Sequence, residues 1–292
     1  MTETFGPPWT VLKLLEWSKQ YFAERGIDSP RLDAELLLSH VLGMDRVRLY
    51  MQYDRPLVPD ELEAYRALVK RRAGHEPVAY ITGTRGFWSL DLKVDRRALI
   101  PRPETEVLVE EVLKHIPEDS PATFVDVGTG TGAIALAVAS ERPNLRVIAT
   151  DASAEALALA RENAERAGLA DRVEFLEGDL LAAVPAQLTI DHVASNPPYV
   201  AETERDRLDP EVRDWEPAAA LFAGPDGLDV IRRLAEQAAH RLTPGGWLTV
   251  EIGWDQGRTA PEVLARAGLA DVVVRKDYSQ NDRVVSGKRS AS

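Results

Sequence analysis

Over roughly the first seventy positions apolar residues recur with the 3.6-residue period of helices. Val11, Leu12, Leu14, Leu15, Tyr21 and Phe22 form one stripe within Trp9–Arg25, and Gly26 stands in the usual post-helix position. Ser29-Pro30 predicts a second helix, with Ser29 as N-cap and proline in the first turn. That helix carries Leu32, Leu36, Leu37, Val41 and Leu42 and ends at Gly43. Pro59-Asp60 opens a third through Leu62, Tyr65, Leu68 and Val69 to Gly74, where Arg71 and Arg72 suit the helix dipole. The stripes of these helices read as core. Between Glu76 and Ile100 the period changes to two: Ile81–Trp88 and Leu90–Val94 alternate as strands do, which predicts a β-hairpin. Ile100–Glu106, with two prolines, is a stiff segment capping a helix over Val107–His115.

From Ala122 onward the order alternates strictly. Phe124–Val127, Val147–Thr150, Val173–Leu176, Ile190–Ser195 and Trp247–Ile252 read as strands. Ala133–Ser140, Ala154–Ala167, Leu228–Leu242 and Pro261–Ala267 read as helices, the third stopped by Pro244-Gly245-Gly246. Val272–Val274 and Arg283–Gly287 close as a strand pair, and Lys288–Ser292 reads as a loose tail. Strands alternating with helices of this length predict an α/β fold, a parallel sheet with helices on both faces.

Composition narrows the function classes. The 292 residues are 45% hydrophobic and 28% charged, without a run long enough for a membrane span. Met1–Thr10 carries acidic Glu3, no basic residue and no following signal-type apolar run, so a cytosolic, cytoplasmic protein is expected, with no membrane partner. Absence of cysteine excludes disulfides, thiolate metal sites and a cysteine nucleophile, and the five scattered histidines argue against a zinc site. The net charge is −12, and residues 1–80 are nearly balanced, with 11 Lys+Arg against 12 Asp+Glu, so the remainder carries the excess. A protein gripping duplex DNA or long RNA aims many cations at phosphates, and neither half of this chain is basic. No direct nucleic-acid partner is therefore expected.

The candidate chemistry follows the strands. Gly128-Thr129-Gly130-Thr131-Gly132 sits between the first strand and a helix, where backbone can approach a ligand closely and the helix N-terminus favours negative charge. Read as Gly128-x-Gly130-x-x-Ala133 it also fits a dinucleotide fingerprint, so NAD binding stays open at this point. Asp151 ends the second strand, where an acid would bond ribose hydroxyls. Asp179-Leu180 follows the third, where the acid can accept from an adenine amine and the leucine can offer an apolar face. Asn196-Pro197-Pro198-Tyr199 follows the next: two prolines fix φ and remove two donors, leaving a stiff corner with an amide, free carbonyls and a ring. Ala201–Gly227, long and charged and holding Trp215-Glu216-Pro217, reads as a lid, and Arg102 and Glu104 as candidates for the mouth of the site.

Together these four stations resemble a class I S-adenosylmethionine-dependent methyltransferase. The flanks Arg71–Gly83, Leu99–Glu106 and Asp277–Arg283 resemble, more narrowly, the HemK-type release factor glutamine methyltransferases. That resemblance covers almost the whole chain and is weakest over residues 1–70. It implies a Rossmann-like, seven-stranded methyltransferase sheet over residues 101–292. It also implies a substrate-recognising helical domain over 1–76 and a β-hairpin linker over 77–100. The implied reaction moves a methyl group from S-adenosyl-L-methionine to the amide N5 of the glutamine in the Gly-Gly-Gln motif of class 1 peptide chain release factors. The donor site would comprise Gly128, Thr129, Gly130, Thr131, Gly132, Asp151, Asp179, Leu180 and Asn196. Asn196, Pro197, Pro198 and Tyr199 would bind the glutamine, with Asn196, Pro197 and Tyr199 catalytic.

An amide nitrogen is a poor nucleophile, because its lone pair is delocalised into the carbonyl. The Asn196 side-chain oxygen and the Pro197 carbonyl are suited to accept its protons and aim it at the sulfonium methyl, favouring the charge that develops there. No base-like residue stands in the motif, so the proton is expected to leave after transfer. The alternatives are a glutamine methyltransferase of a ribosomal protein, a nucleic-acid adenine N6-methyltransferase, and a non-catalytic nucleotide-binding module.

Overall fold

The computed structural model describes residues 8–290. Most of the Met1–Thr10 stretch, and the last two positions of the expected tail, lie outside the described residues. Helices α1 (Val11–Ala23), α2 (Pro30–Leu42), α3 (Arg46–Met51), α4 (Pro59–Ala73) and α5 (Val78–Thr82) come first. The hairpin β1 (Thr84–Phe87) and β2 (Leu90–Lys93) follows, then α6 (Glu106–His115), β3 (Thr123–Val127), α7 (Ala133–Glu141), β4 (Arg146–Asp151), α8 (Ala154–Arg166), β5 (Val173–Glu177) and β6 (Ile190–Ser195). The short helix α9 (Pro210–Arg213) interrupts the long connection before α10 (Asp229–Arg241), β7 (Leu242–Glu251), α11 (Thr259–Arg266), β8 (Leu269–Lys276) and β9 (Asp282–Arg289). Among the described residues no helix is long and apolar enough to cross a membrane.

The chain divides into two compact units. One runs to Gly83 and takes in Pro210–Trp215; the other holds Thr84–Asp209 and everything from Glu216 onward. In the first unit α1, α2 and α4 close over Phe22, Leu37, Leu38 and Tyr65, all fully buried. Thr10 caps α1 by accepting from Lys13 N–H, and Asp45 caps α3 by accepting from Arg48 N–H. Ser29 precedes α2 as expected but its side chain makes no cap bond; Pro30 starts the helix instead. Arg72 does more than complement a helix dipole. It is buried, pairs with Asp33 at 2.6 Å and Glu211 at 2.8 Å, and donates to the Glu76 carbonyl. Arg71 pairs with the Glu76 carboxylate.

The β-hairpin is shorter than the alternation suggests. Ile81-Thr82-Gly83 belongs to a helical turn, α5, in which the Thr82 hydroxyl donates to the Val78 carbonyl and Gly83 closes at φ +75°. Strand pairing starts at Thr84↔Lys93 and ends at Phe87↔Leu90, with Trp88 and Ser89 as the turn.

In the second unit the α/β fold is borne out, with seven strands in the main sheet among the described residues, ordered β5-β4-β3-β6-β7-β9-β8. The first five neighbours pair in parallel, and β9 runs antiparallel to both β7 and β8. Every residue of β3 is buried, as a central strand covered on both faces requires. Pro244-Gly245-Gly246 does not separate α10 from a strand. It lies inside β7, whose pairing with β6 shifts between Ile190↔Leu242 and His192↔Trp247, so the extra residues are absorbed as a bulge. Lys288 and Arg289, expected in a loose tail, pair with Ala270 and Leu269 as the end of β9. The sheet order reverses direction between β3 and β6, the point at which a doubly wound sheet opens a crevice beyond its strand ends.

Candidate active site

The crevice is built first by the glycine loop. After β3 the N–H groups of Gly128 and Thr129 both donate to the Thr150 carbonyl, at 2.8 and 2.9 Å, which folds the loop back over the end of β4. Gly132 turns into α7 at φ +84°, and a Cβ there would stand 3.2 Å from Leu136 and 3.3 Å from Ala160. The loop is also held from below. Asp126, fully buried in β3, accepts from the Thr129 hydroxyl at 2.6 Å and from Ala135 N–H at 3.1 Å. Burial pushes its carboxyl up to about 7. Buried Asn163 on α8 donates to the Thr131 and Lys93 carbonyls and accepts from Lys93 N–H, stapling the loop to β2.

At the end of β4 the two Asp151 oxygens accept from Gly130 N–H and Ser153 N–H, each at 2.9 Å, and Ser153 in turn caps α8. Asp179 is exposed and paired with Arg233 of α10. Leu180 beside it is half-buried and held at φ +52°, a left-handed conformation that a leucine adopts only under tertiary constraint.

The Asn-Pro-Pro-Tyr corner leaves β6 beside this loop, with the Ser195 hydroxyl donating to the Val127 carbonyl at 2.7 Å. Asn196 donates through Nδ2 to the Thr105 hydroxyl at 3.2 Å. The Tyr199 carbonyl accepts from Gln256 Nε2 at 3.0 Å. Burial, reinforced by the nearby Glu251 carboxyl, pushes the Tyr199 phenol up to about 12, so the ring stays neutral. The long connection after the corner is ordered by β-type bonds between Val200 and the segment Leu221–Ala223. Buried Glu216 accepts from Ile100 N–H at 3.2 Å and pairs with Arg102. That latch sets Pro217, Ala219 and Ala220 as one wall of the site.

These features enclose a cavity of about 470 Å³, within the size range of small-molecule sites. Of the residues singled out in the sequence, Gly128, Thr129, Gly130, Thr131, Asp151, Asp179, Leu180, Asn196, Pro197 and Pro198 line it together. Gly132 and Tyr199 are outside the lining. Arg102 contributes through its latch with Glu216, and Glu104 is exposed. The donor set suits S-adenosylmethionine: a helix start for its carboxylate, an acid for ribose hydroxyls, and an apolar side chain for a ring.

Several residues that shape the site escape sequence reasoning: Asp126, Thr105, Glu251 and Gln256. For Asp126 and Glu251 a signal existed, since each interrupts an otherwise apolar strand and a buried acid is uncommon without a role. Thr105 and Gln256 lie in connecting segments, where no pattern gives their roles, and the pattern marks Glu216 only as part of the long connection.

Residues 13–83 match the family model described as PrmC N-terminal domain, and residues 104–209 that described as methyltransferase small domain. A release factor glutamine methyltransferase of Geobacter sulfurreducens is 45% identical over 280 residues, covering 96% of this chain and 97% of its own. One of Xylella fastidiosa is 46% identical over 258 residues, covering 88% and 93%. Among solved structures, a methyltransferase from Pyrococcus furiosus aligns over 70% of this chain and 90% of its own with a TM-score of 0.51 at 19% identity, a likeness of fold.

Proposed function

The chain belongs to the family of release factor glutamine methyltransferases, and from that premise we propose that it methylates the side-chain amide of a glutamine in a peptide chain release factor. The target atom on this reading is N5 of the glutamine in the Gly-Gly-Gln motif of class 1 release factors. S-adenosylmethionine is the methyl donor, and when bound it supplies an electrophilic methyl group on a sulfonium. The observation that carries the reading is that the glycine loop and the Asn-Pro-Pro corner open into one cavity, so a donor on the first adjoins an amide on the second.

The protein's own groups bind and orient. The start of α7 would hold the donor's carboxylate, and Asp151 its ribose. Asn196 spends its NH2 group on Thr105, which leaves Oδ1 to accept one proton of the glutamine amide. The Pro197 carbonyl accepts the other, in a position made rigid by the ring. Both acceptors gain strength as positive charge develops on the nitrogen, which is where an interaction accelerates transfer. Pro217, Ala219 and Ala220 exclude water from that wall. The methylated amide then gives up its proton to water.

The acidic balance of the chain supports a protein substrate without direct nucleic-acid contact, and the reading puts the enzyme in the cytoplasm with the translation machinery. The test is transfer of label from S-adenosylmethionine to a release factor, to the same factor with its Gly-Gly-Gln glutamine replaced, to ribosomal protein and to DNA. Label on the intact release factor alone is expected. Label on the ribosomal protein or DNA instead, with none on the release factor, overturns the proposal.

A further inference from the structure

We propose that Gln256 is a positioning residue, which fixes the far end of the Asn-Pro-Pro-Tyr corner and through it the Pro197 carbonyl that accepts from the substrate amide. The inference rests on the glutamine-methylation reading and concerns what keeps that acceptor in place. Gln256 itself does not line the cavity, so its influence on the reaction runs through the backbone of the corner.

The residue is defined by three bonds. It closes the turn that follows β7, is 7% exposed, and has every polar group of its amide engaged. Nε2 donates to the Tyr199 carbonyl at 3.0 Å and to the Gly227 carbonyl at 3.4 Å, while Oε1 accepts from Gly253 N–H at 2.9 Å. Two donors and one acceptor on one short plane are what an amide supplies; a carboxylate only accepts and an ammonium only donates. The base of the side chain is held as well. Gln256 N–H donates to the Gly253 carbonyl at 2.9 Å, and the Gln256 carbonyl accepts from Ala260 N–H at 3.0 Å in the first turn of α11. Gln256 is therefore an anchored arm, not a side chain that follows its partner.

What it holds is a stretch that cannot hold itself. Pro197 and Pro198 have no N–H, so the corner offers no backbone donor between Asn196 and Tyr199. Its tethers lie at the two ends. Upstream, Ser195 and Asn196 are tied to Val127 and Thr105. Downstream, Tyr199 is tied to Gln256, and Val200 to Leu221 and Ala223. The two rings stiffen the segment between, so a shift at Tyr199 is passed to the Pro197 carbonyl instead of being absorbed on the way. Gly227 lets the segments meet, since a Cβ on it would stand 3.0 Å from Gln256 Nε2. A misplacement of about 1 Å at a reacting group costs on the order of 10²-fold in rate.

The experiment uses the full chain with an intact release factor at about pH 8.5, well above the ordinary carboxyl range. It compares wild type, Gln256→Glu and Gln256→Met. Gln256→Glu keeps the shape and the acceptor for Gly253 but sets lone pairs against two carbonyl oxygens. Gln256→Met keeps the bulk and loses all three bonds. Calorimetry with S-adenosylmethionine counts the folded enzyme, and single-turnover rates are expressed per donor-binding site. Both variants are expected to lose at least about tenfold in rate at saturating release factor, Gln256→Glu the more. Release-factor KM and donor affinity should stay within about threefold of wild type. A wild-type rate per site in either variant, or a loss carried by KM or donor affinity, overturns the inference. So does Gln256→Glu standing nearer wild type than Gln256→Met, the order that packing alone would give. A variant that binds no donor leaves the decision to the other, and loss of donor binding by both makes Gln256 a folding residue and also overturns the inference. Wild type that methylates no release factor overturns the functional reading, and this inference with it.

Discussion

Asn196 and Gly227 show how closely single atoms are specified around the corner that ends β6. Asn196 offers one acceptor to the cavity, and removing an acceptor aimed at developing charge removes stabilisation that exists mainly in the transition state. Asn196→Ala is expected to lower single-turnover methylation by about 10²–10³-fold, the range seen when one such group is deleted. Donor affinity measured by calorimetry should change far less. Gly227 lies at φ +72°, and a Cβ there would stand 2.1 Å from the Tyr199 carbonyl oxygen. Gly227→Ala is expected to cost about 1–3 kcal/mol in left-handed strain alone, read by denaturant unfolding. It also displaces the Tyr199 backbone from Gln256, so activity should fall at temperatures where the protein is still folded. The prolines of the corner were legible because they act on their own backbone. The partners of the corner were not, because Thr105 and Gln256 approach it from positions 91 and 57 residues away.

Among the elements, α2 and α4 are joined by a buried ion pair as well as by their apolar stripes. Arg72 and Asp33 meet at 2.6 Å with little exposure on either side, and burial still raises the Asp33 carboxyl despite the guanidinium. Arg72→Met leaves that carboxylate buried and unpaired, which typically costs about 3–5 kcal/mol. A double variant with Asp33→Leu should recover much of the loss, and urea midpoints of wild type and the two variants check both outcomes. The sequence pattern marks Arg72 as a last-turn cation, because helix periodicity sees the helix and not the acid opposite. The same locality explains α5. Ile81-Thr82-Gly83 alternates as a strand would, and local bonds from Thr82 and Gly83 decide for a turn. Pro244-Gly245-Gly246 misleads in the other sense, since a neighbouring strand can absorb it as a bulge.

For the whole molecule, buried acids and paired acids give the stability opposite dependences on pH. Asp126 and Glu251 are raised to about 7 in the folded state, from about 4 to 4.5 when unfolded. The folded protein therefore holds more protons than the unfolded chain between these values, and the stability they contribute is lost as pH rises through 7. Glu111, lowered to about 2 by His115 at 3.3 Å and by Lys114, contributes stability that is present above its ordinary value and lost as pH falls toward 2. His192, which burial lowers to about 4, also loses stability as pH falls below its unfolded value. Between pH 6.5 and 8 the two buried acids dominate among these groups, so thermal midpoints are expected to fall across that window and level off above it. Asp126→Asn should reduce the slope by about half, since one of two linked protons is removed; an unchanged slope would show that Asp126 does not titrate there.

The sequence by itself determined the alternation of strands and helices from β3 onward, the α/β class, and the four stations at successive strand ends. Those are consequences of periodicity, of glycine and proline geometry, and of residues acting on their immediate neighbours. Tertiary structure decided what no local rule reaches. It set Glu216 as the latch of the long connection, Asp126 as the support beneath the glycine loop, and Thr105 behind Asn196. The physical reason is that a hydrogen bond or a desolvated charge depends on what lies opposite in space. In this chain those partners come from segments tens of residues away, gathered only when the sheet assembles.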